Sequence, residues 1–391
     1  MPVINRIADF HQEMTAWRHD LHEHPELGFQ ETRTAALVAQ RLREFGADAV
    51  VTGIAGTGVV GMIRGAVDGQ RAIGLRADMD ALPIAEETGL PYASRNPGVM
   101  HACGHDGHTT MLLGAAKYLA ETRNFAGTAY LIFQPAEENL AGGEAMLKAG
   151  LFERFPMDQV FGLHNWPVAP EGVFLWRNGP VMAAVANLEV TLHGRGAHGA
   201  QPHRSVDPII IAGHILTALQ TIVGRNVDPT ESGVVTIGHI AGGQTYNVIP
   251  ETVHMKGTAR WFSPHVGDQL EDRFQRLVTG IAESFSARAE VSFARSYPAT
   301  VNDAEATVLA RQAAESVVGE ARVQHMEAPT MGGEDFSFML NAKQGSYLML
   351  GGARSESEVS VHHPRYDFND AILPLGASYW ATLVEQRLAK P

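Results

Sequence analysis

Strands and helices alternate along the first half of the chain, and this order constrains the fold more than any other feature of the sequence. Four short apolar runs are typical of buried strands, at 58–63, 71–78, 127–135 and 159–165. Apolar residues recur at helical spacing between the later strands, at 107–122 and 142–152. The order predicts an α/β fold with a central, mostly parallel sheet and helices on both faces.

The segment from 181 to 296 has a different order. It reads strand, helix, strand, strand, helix, strand, which is the order of a ferredoxin-like α+β unit. A helical pattern and further apolar runs follow this segment. At 391 residues, the chain is long enough for two domains. We therefore expect one α/β domain in two parts, 1–180 and 297–391, with an inserted α+β domain at 181–296.

Charge, hydropathy and cysteine content disfavour several classes of protein. The formal net charge of −13 disfavours binding to nucleic acid, whose phosphates are also negative. No apolar run approaches the roughly 18 residues of a membrane span, and the N-terminal segment lacks the pattern of a signal peptide. A single cysteine allows no internal disulfide and suits a reducing compartment. We expect a cytoplasmic protein that binds neither nucleic acid nor a membrane.

Residues able to bind metal ions cluster at the ends of predicted elements. They are Asp78 and Asp80 after the strand at 71–78, Glu137 and Glu138 after the strand at 127–135, His164 at the end of the strand at 159–165, and Cys103 and His105 before the helix at 107–122. Ligands of open α/β sheets bind beyond the carboxyl ends of the strands, so these side chains are expected to meet. Cys103 and His105 are two residues apart and point the same way in an extended segment.

The donor types favour a catalytic metal site. Thiolate, imidazole and carboxylate together suit zinc, with manganese, cobalt and nickel as alternatives. The donors are spread widely along the chain and include carboxylates, unlike the closely spaced ligands of a structural zinc site. Water bound to such a metal needs a carboxylate to take its proton. Either Glu137 or Glu138 could be that base while the other binds metal, and the residues alone leave both assignments open.

Eight motifs carry a resemblance to a known family. They are LRADMDALP (75–83), MHACGHDGH (100–108), FQPAEEN (133–139), GLHNWP (162–167), GRGAHGAQPHRSVDP (194–208), NVIP (247–250), MGGEDFSF (331–338) and HHPRYDF (362–368). In these motifs the chain resembles the dinuclear-metal amidohydrolases of the aminoacylase, hippurate hydrolase and auxin-conjugate (IAA-amino acid) hydrolase group, within the wider superfamily of glutamate carboxypeptidases and di- and tripeptidases. The cysteine stands where the peptidase branches have an aspartate that bridges the metals, and in this the chain is similar to the hippurate hydrolase branch.

The resemblance implies a set of catalytic and metal-binding residues. Five residues would bind two divalent ions, zinc or manganese with nickel or cobalt as alternatives: Cys103, His105, Glu138, His164 and His362. The thiolate of Cys103 would take the place of the bridging carboxylate. Glu137 would be the general base that later protonates the leaving amine, and Asp80 would orient a metal ligand. Chemistry alone allows either His362 or His363 as a ligand, and the family pattern His-x-Pro selects His362.

The inserted domain resembles the lid and dimerisation domain of this family. His198 would donate a hydrogen bond to the oxyanion that develops during the reaction, usually in the active site of the partner subunit. Asn247 and Arg260 would hold the substrate, and the guanidinium of Arg260 suits a carboxylate because it can bind both oxygens. The resemblance therefore implies a homodimer or a homotetramer.

The resemblance and the donor set predict hydrolysis of the amide bond of a small N-acyl amino acid, hippurate-like or N-acetylated, to a carboxylate and a free amino acid. A dipeptidase, a carboxypeptidase or an N-acetyl-diaminopimelate deacetylase of the same superfamily is an alternative. A metal-bearing binder that has lost catalysis is disfavoured because it has no need of the Glu137–Glu138 pair. A glycosidase is disfavoured because adjacent glutamates do not easily flank one bond from opposite sides, and Cys103 would have no role.

Overall fold

The chain divides into two compact units in a computed structural model that describes residues 4–355 and 359–391. Unit 1 comprises the described residues of Met1–Val181, Thr300–Pro329 and Asp335–Pro391. Unit 2 comprises Met182–Ala299 and Thr330–Glu334. The middle of the chain therefore forms unit 2 together with a short later segment, and the flanking parts form unit 1.

Unit 1 is built on an eight-stranded sheet. Its strands are β1 (Ala49–Ile54), β2 (Gly58–Arg64), β3 (Val67–Asp78), β4 (Ala126–Gln134), β5 (Gln159–Pro170), β6 (Phe174–Trp176), β15 (Val323–His325) and β16 (Gln344–Ala353). Two short strands, β7 (Gly179–Met182) and β14 (Thr300–Asn302), pair with each other separately. The order across the large sheet is β1-β2-β4-β3-β5-β16-β6-β15.

The centre of this sheet is parallel, as the sequence predicts. Strands β4, β3, β5 and β16 are neighbours and run parallel to one another. Antiparallel pairs lie to either side, between β1 and β2, between β2 and β4, and between β16 and β6. The last seven residues of β3 are all buried, which is typical of parallel strands covered on both faces. The prediction of a mostly parallel central sheet is confirmed.

Helices cover both faces of the sheet. They are α1 (Asn5–Asp9), α2 (His11–Glu23), α3 (Thr32–Glu44), α4 (His105–Thr122), α5 (Glu137–Leu140), α6 (Gly142–Lys148), α7 (Leu151–Arg154), α10 (Ala304–Val318), α11 (Phe336–Ala342) and α12 (Leu373–Arg387). On one face, Phe161 and Leu163 of β5 join a hydrophobic cluster with residues of α1 to α4, α10 and α12. Gly162 points to the opposite face because side chains alternate along a strand, and a Cβ atom there would lie 3.1 Å from Phe336 of α11.

Two predicted helices differ from the structure in their limits. The helix expected from residue 107 begins at His105, which places this histidine in the first helical turn. The continuous helix expected at 142–152 is wrong, because the chain forms α6 and α7 with a break between them. Gly150 adopts the left-handed conformation at the break, with φ of 82°, and one such residue ends an α-helix.

Unit 2 has the ferredoxin-like arrangement that the sequence predicts. Its main elements are β8 (Ala184–His193), α8 (Pro208–Asn226), β10 (Gly233–Gly242), β12 (Thr252–Trp261), α9 (Pro264–Ser284) and β13 (Arg288–Tyr297). The sheet order is β10-β12-β8-β13, and every neighbouring pair is antiparallel. Two short strands, β9 (Ala197–His198) and β11 (Val248–Ile249), pair separately.

Helix α8 is the one helix among the described residues with the length and composition of a membrane span. Its sequence has a second explanation in this fold. Ile211, Ile215, Leu219 and Ile222 recur at helical spacing and are buried in the hydrophobic cluster of unit 2. The apolar composition of α8 therefore reflects its packing within this unit.

Candidate metal centre

The structure brings the five predicted metal ligands together in unit 1. Cys103, His105 and His164 form one group, and Cys103, Glu138 and His362 form another. Within each group, one donor atom of every side chain lies within 4.8 Å of the others. Cys103 belongs to both groups, so its sulfur can reach a cation in either of them. This is the arrangement that a bridging ligand requires.

The ring of His105 is oriented by a backbone group. Its Nδ1 atom lies 2.9 Å from the carbonyl oxygen of Asp80, and therefore carries the proton that this oxygen accepts. The Nε2 atom is buried and makes no hydrogen bond to the described residues, although Oδ2 of Asp78 lies 3.7 Å away. A buried, unpaired imidazole nitrogen is costly, and a cation would pair it. The ring nitrogen of a metal-binding histidine that does not bind the metal commonly donates to a backbone carbonyl or a carboxylate, as Nδ1 does here.

His164 is oriented in the same way. Its Nδ1 atom lies 2.5 Å from the backbone oxygen of Asn165 and donates a hydrogen bond to it. The lone pair of Nε2 is therefore available to bind a metal ion. This Nε2 atom lies 3.4 Å from the sulfur of Cys103. Burial, followed by the charge on His108, holds the pKa of His164 well below its usual range. The neutral imidazole that a metal requires is therefore the stable form.

The second group joins His362 to Glu138. The Nε2 atom of His362 lies 3.1 Å from Oε1 of Glu138. Hydrogen bonds to Cys103 and then to Glu138 raise the pKa of His362 to about 10. The donor atoms of these three side chains lie within 4.8 Å of one another, so a divalent cation could be held among them. The neighbouring His363 belongs to none of the metal-capable groups formed by the described residues.

The segment around Cys103 has a shape that only glycine allows. Gly104, with φ of 95°, directs the chain from Cys103 into α4. A Cβ atom at Gly104 would lie 2.3 Å from Oδ1 of Asn165 and 2.8 Å from the hydroxyl of Tyr366.

Burial, and then the charge of Glu138, raise the pKa of the Cys103 thiol. A nearby cation reverses this shift, because metal-bound cysteine loses its proton, so the site fits a metal centre.

Asp80 determines how the two glutamates leave β4. Its carboxylate oxygens accept hydrogen bonds from the backbone N–H groups of Glu137, at 3.0 Å, and Glu138, at 2.9 Å. The carboxylate of Glu137 in turn accepts a hydrogen bond from the backbone N–H of Asp335, at 3.4 Å. Ala136, the residue before the pair, adopts a left-handed conformation with φ of 54°. Strained backbone of this kind is common beside catalytic groups.

A second chain of polar side chains supports the metal-capable groups. The ring of His108 lies between Asp78 and Asn165, with Nδ1 2.6 Å from Oδ1 of Asp78 and Nε2 2.6 Å from Oδ1 of Asn165. The side-chain amide of Asn165 also donates to the hydroxyl of Tyr366, at 2.7 Å. Asp78 further accepts from Arg76, at 2.6 Å. Sequence reasoning named Asp78 as metal-capable but gave His108, Asn165 and Tyr366 no role, although His105 and His108 share a helix face three residues apart.

The three residues predicted in the inserted domain are only partly brought together within unit 2. His198 in β9 lies opposite Val248 in β11, and the N–H of Gly199 donates to the carbonyl of Asn247, at 2.8 Å. His198 and Asn247 are therefore neighbours, and both are exposed. Arg260 lies on β12 eight residues beyond Thr252, the end of that strand nearer to β11. Eight residues of strand span about 26 Å.

Three comparisons with known proteins agree with this geometry. Residues 74–386 match the family model described as peptidase family M20/M25/M40. The chain is 43% identical over 383 residues to a hippurate hydrolase of Campylobacter jejuni, covering 98% of both chains. It is 41% identical over 384 residues to an N-acetyl-L-cysteine deacetylase of Bacillus subtilis, covering 98% of this chain and 89% of the relative. Its fold matches a dinuclear metal binding peptidase of B. subtilis with a TM-score of 0.82 and 34% identity, over 97% of this chain and 99% of the other.

Proposed function

The chain belongs to peptidase family M20/M25/M40, and from that membership we propose which substrates, metal ions and side chains serve its reaction. The protein is a metal-dependent amidohydrolase that cleaves N-acyl amino acids to a carboxylate and a free amino acid. The preferred substrates are hippurate-like and N-acetylated amino acids, the classes named for two relatives. The observation that carries the assignment of the site is the position of Cys103, whose sulfur belongs to two of the metal-capable groups, one with His105 and His164 and one with Glu138 and His362.

Two divalent cations fit the two groups, with Cys103 as the ligand they share. His105 and His164 would hold one ion, and Glu138 and His362 the other. The mixture of thiolate, imidazole and carboxylate favours zinc or manganese, with nickel and cobalt as alternatives. Bound cations of this kind polarise an amide carbonyl and lower the pKa of water to about 7. The remaining requirement is a base, which the chain must provide.

Glu137 is the base in this proposal. Both glutamates lie in a metal-capable group with His105, but Glu138 also lies against His362 and so has the ligand position, whereas Glu137 is buried and accepts a hydrogen bond from the backbone N–H of Asp335. Glu137 takes a proton from the attacking water and later gives it to the nitrogen of the leaving amino acid. Asp80 holds the backbone of both glutamates and orients His105 through its carbonyl group.

Unit 1 is the catalytic domain in this proposal, and unit 2 is a lid and dimerisation domain. Asn247 and Arg260 would hold the substrate, and the guanidinium of Arg260 suits its carboxylate. His198 would donate to the oxyanion. His198 pairs with Val248, just before β12 begins at Thr252, and Arg260 lies eight residues, about 26 Å, further along that strand. In this proposal one chain therefore does not present both to the same small substrate. His198 and Asn247 would therefore serve the site of a second copy, which requires at least a homodimer.

Exposed apolar side chains of unit 2 support self-association. Ile209 and Ile210 on α8 and Ile240 on β10 are each about half exposed, and β10 is an edge strand of its sheet. An exposed edge strand with apolar residues is a template for pairing with another chain.

We place the protein in the cytoplasm, because the single thiol at the centre of the site needs a reducing compartment.

A substrate panel with metal-loaded protein tests the proposal. Release of the free amino acid is measured for N-benzoylglycine, a series of N-acetyl amino acids, dipeptides and N-acetyl-diaminopimelate, and the bound metal is quantified in the same preparation. The proposal expects the highest kcat/KM for an N-acyl amino acid and two ions per chain. A clear preference for dipeptides or N-acetyl-diaminopimelate would replace the proposed substrate class. Absence of bound metal together with full turnover would contradict the proposed centre.

A further inference from the structure

Three consecutive backbone N–H groups at the end of β4 donate to two buried carboxylates. Glu137 and Glu138 donate to Asp80, as described above, and the N–H of Ala136 donates to Oε1 of Glu31, at 2.8 Å. Glu31 is fully buried and lies 105 residues earlier in the chain. Two carboxylates from separate elements therefore hold the turn that presents the catalytic pair.

Ala136 needs this support because its conformation is unfavourable. With φ of 54°, it lies in the left-handed region, which residues with a Cβ atom rarely adopt. Its carbonyl oxygen is also held, by the N–H of Gly142 at 2.9 Å. The hydrogen bond to Glu31 thus fixes the remaining backbone group of a residue that would otherwise relax. Because Ala136 directly precedes Glu137, relaxation would change the direction of the Glu137 side chain.

Glu31 is not required by its own helix. It immediately precedes α3, but its side chain makes no capping hydrogen bond there. The carboxylate of Glu26 caps α3 instead, accepting from the N–H groups of Arg33 and Thr34 at 2.9 and 2.8 Å. The side chain of Glu31 therefore extends away from α3 toward the end of β4.

The second oxygen of Glu31 is fixed as well. Oε2 accepts from the hydroxyl of Thr57, at 2.6 Å, in the connection between β1 and β2. Among the described residues, no lysine, arginine or histidine forms an ion pair with Glu31. Burial raises the pKa of Glu31, and the hydrogen bond from Thr57 offsets only part of this. A buried carboxyl group without a cation is costly to a fold, and a role in the reaction explains its presence.

We infer that Glu31 is a positioning residue: its carboxylate holds the N–H of Ala136 and thereby fixes the direction in which Glu137 meets the substrate. This inference rests on the proposed role of Glu137 as the base. A displacement of about 1 Å at a reacting group can lower turnover on the order of a hundredfold. The loss expected without Glu31 is therefore a loss in kcat rather than in substrate binding.

The test compares Glu31→Met with Glu31→Gln and with a matched control, Glu26→Met. Glu31→Met removes the acceptor, and we expect kcat to fall by about ten- to a hundredfold at saturating metal, with KM nearly unchanged. Glu31→Gln retains an oxygen for Ala136 and should recover most of kcat. Glu26→Met removes the cap of α3 without touching Ala136 and should lower the melting temperature while kcat is retained.

Amide hydrogen exchange of a peptide covering residues 133–140 gives a readout independent of turnover. Exchange should speed up in Glu31→Met and stay slow in Glu26→Met and Glu31→Gln. Unchanged kcat in a folded Glu31→Met protein, an equal loss of kcat in Glu26→Met, or no recovery in Glu31→Gln would each overturn the inference. If Glu31→Met does not fold, Thr57→Val is the deciding variant. Loss of the Thr57 hydroxyl should lower kcat and speed exchange of the same peptide. No change in either quantity would overturn the inference.

A Glu137→Gln protein measured in parallel separates the proposed role of Glu137 as the base from the proposed role of Glu31. If Glu137→Gln keeps full turnover, the proposed base is wrong and the role of Glu31 falls with it. If Glu137→Gln is inactive while Glu31→Met is fully active, the role of Glu31 alone is wrong.

Discussion

A Cβ atom added to Gly104 would lie 2.3 Å from the side-chain oxygen of Asn165, so the two residues are packed as closely as a glycine allows. Gly104→Ala should therefore displace Asn165 and the Cys103–His105 segment, and lower both metal content and kcat by at least tenfold, on the order of the effects of moving a catalytic group. Metal analysis and steady-state kinetics check this. Gly98→Ala is the matched control, because Gly98 has a similar φ of 80° with nothing within 4 Å of an added Cβ. An equal loss in both variants would contradict the role of close packing.

Glu137→Gln should lower kcat by about a hundred- to ten-thousandfold, the usual contribution of a general base. Bound metal should stay near the wild-type amount, since the neighbouring Glu138 is the proposed ligand. Glu144→Gln is the control, because Glu144 lies on α6 in a surface ion pair with Lys148 and should leave kcat unchanged. Loss of metal in Glu137→Gln would instead exchange the roles of the two glutamates.

His198 and Glu137 should complement each other between chains. Two inactive proteins, His198→Ala and Glu137→Gln, are mixed under conditions that allow subunits to exchange. If His198 acts in the partner's site, half of the randomly formed dimers contain one intact site, and about a quarter of wild-type activity returns. If His198 acts within its own chain, every site keeps one defect. An inactive mixture with proven subunit exchange would therefore place His198 in cis.

His22 makes the stability of the protein depend on pH. Burial disfavours its charged form, but hydrogen bonds to Asp106 and Glu86 raise the pKa of His22 to about 9. The unfolded value is about 6.5, so the stabilisation is complete below pH 6.5 and is lost as pH rises through 9. The difference between the folded and unfolded pKa values of His22 corresponds to about 3 kcal/mol in the free energy of unfolding.

Thermal unfolding of wild type and His22→Gln, between pH 6.5 and 9.5, measures this effect. The melting temperature of wild type should fall by several degrees more than that of the variant over this range. His19→Gln, which removes a partly exposed histidine next to Asp370, should follow the wild-type curve. Parallel curves for wild type and His22→Gln would contradict the assignment.

The parts of this molecule that could be predicted from sequence depend on local order. Apolar runs with helical patterns between them predict the parallel centre of the sheet, and strand ends predict that Asp80, Glu137 and His164 meet. The predicted start of α4 lies two residues beyond its actual start at His105, because Gly104 precedes the helix without a polar side-chain cap. The apolar pattern at 142–152 does not indicate the break at Gly150, because the left-handed φ of this single residue ends the helix there.

The contacts that could not be predicted join distant parts of the chain. Glu31 reaches Ala136 across 105 residues, and Asn165 reaches Tyr366 across 201. No spacing rule connects such pairs, since they meet only after the sheet has formed. The same reason left Glu137 and Glu138 indistinguishable, because their roles depend on whether His362 lies beside one or the other.

The most direct test of the proposed metal centre is a titration of metal-free protein with Co²⁺, followed by absorption spectroscopy. We expect two Co²⁺ ions per chain and a sulfur-to-cobalt charge-transfer band from the Cys103 thiolate. In Cys103→Ala the band should vanish and at least one ion should be lost, with activity falling accordingly. A native protein without the band, or a Cys103→Ala protein that binds two ions and hydrolyses substrate normally, would contradict the account.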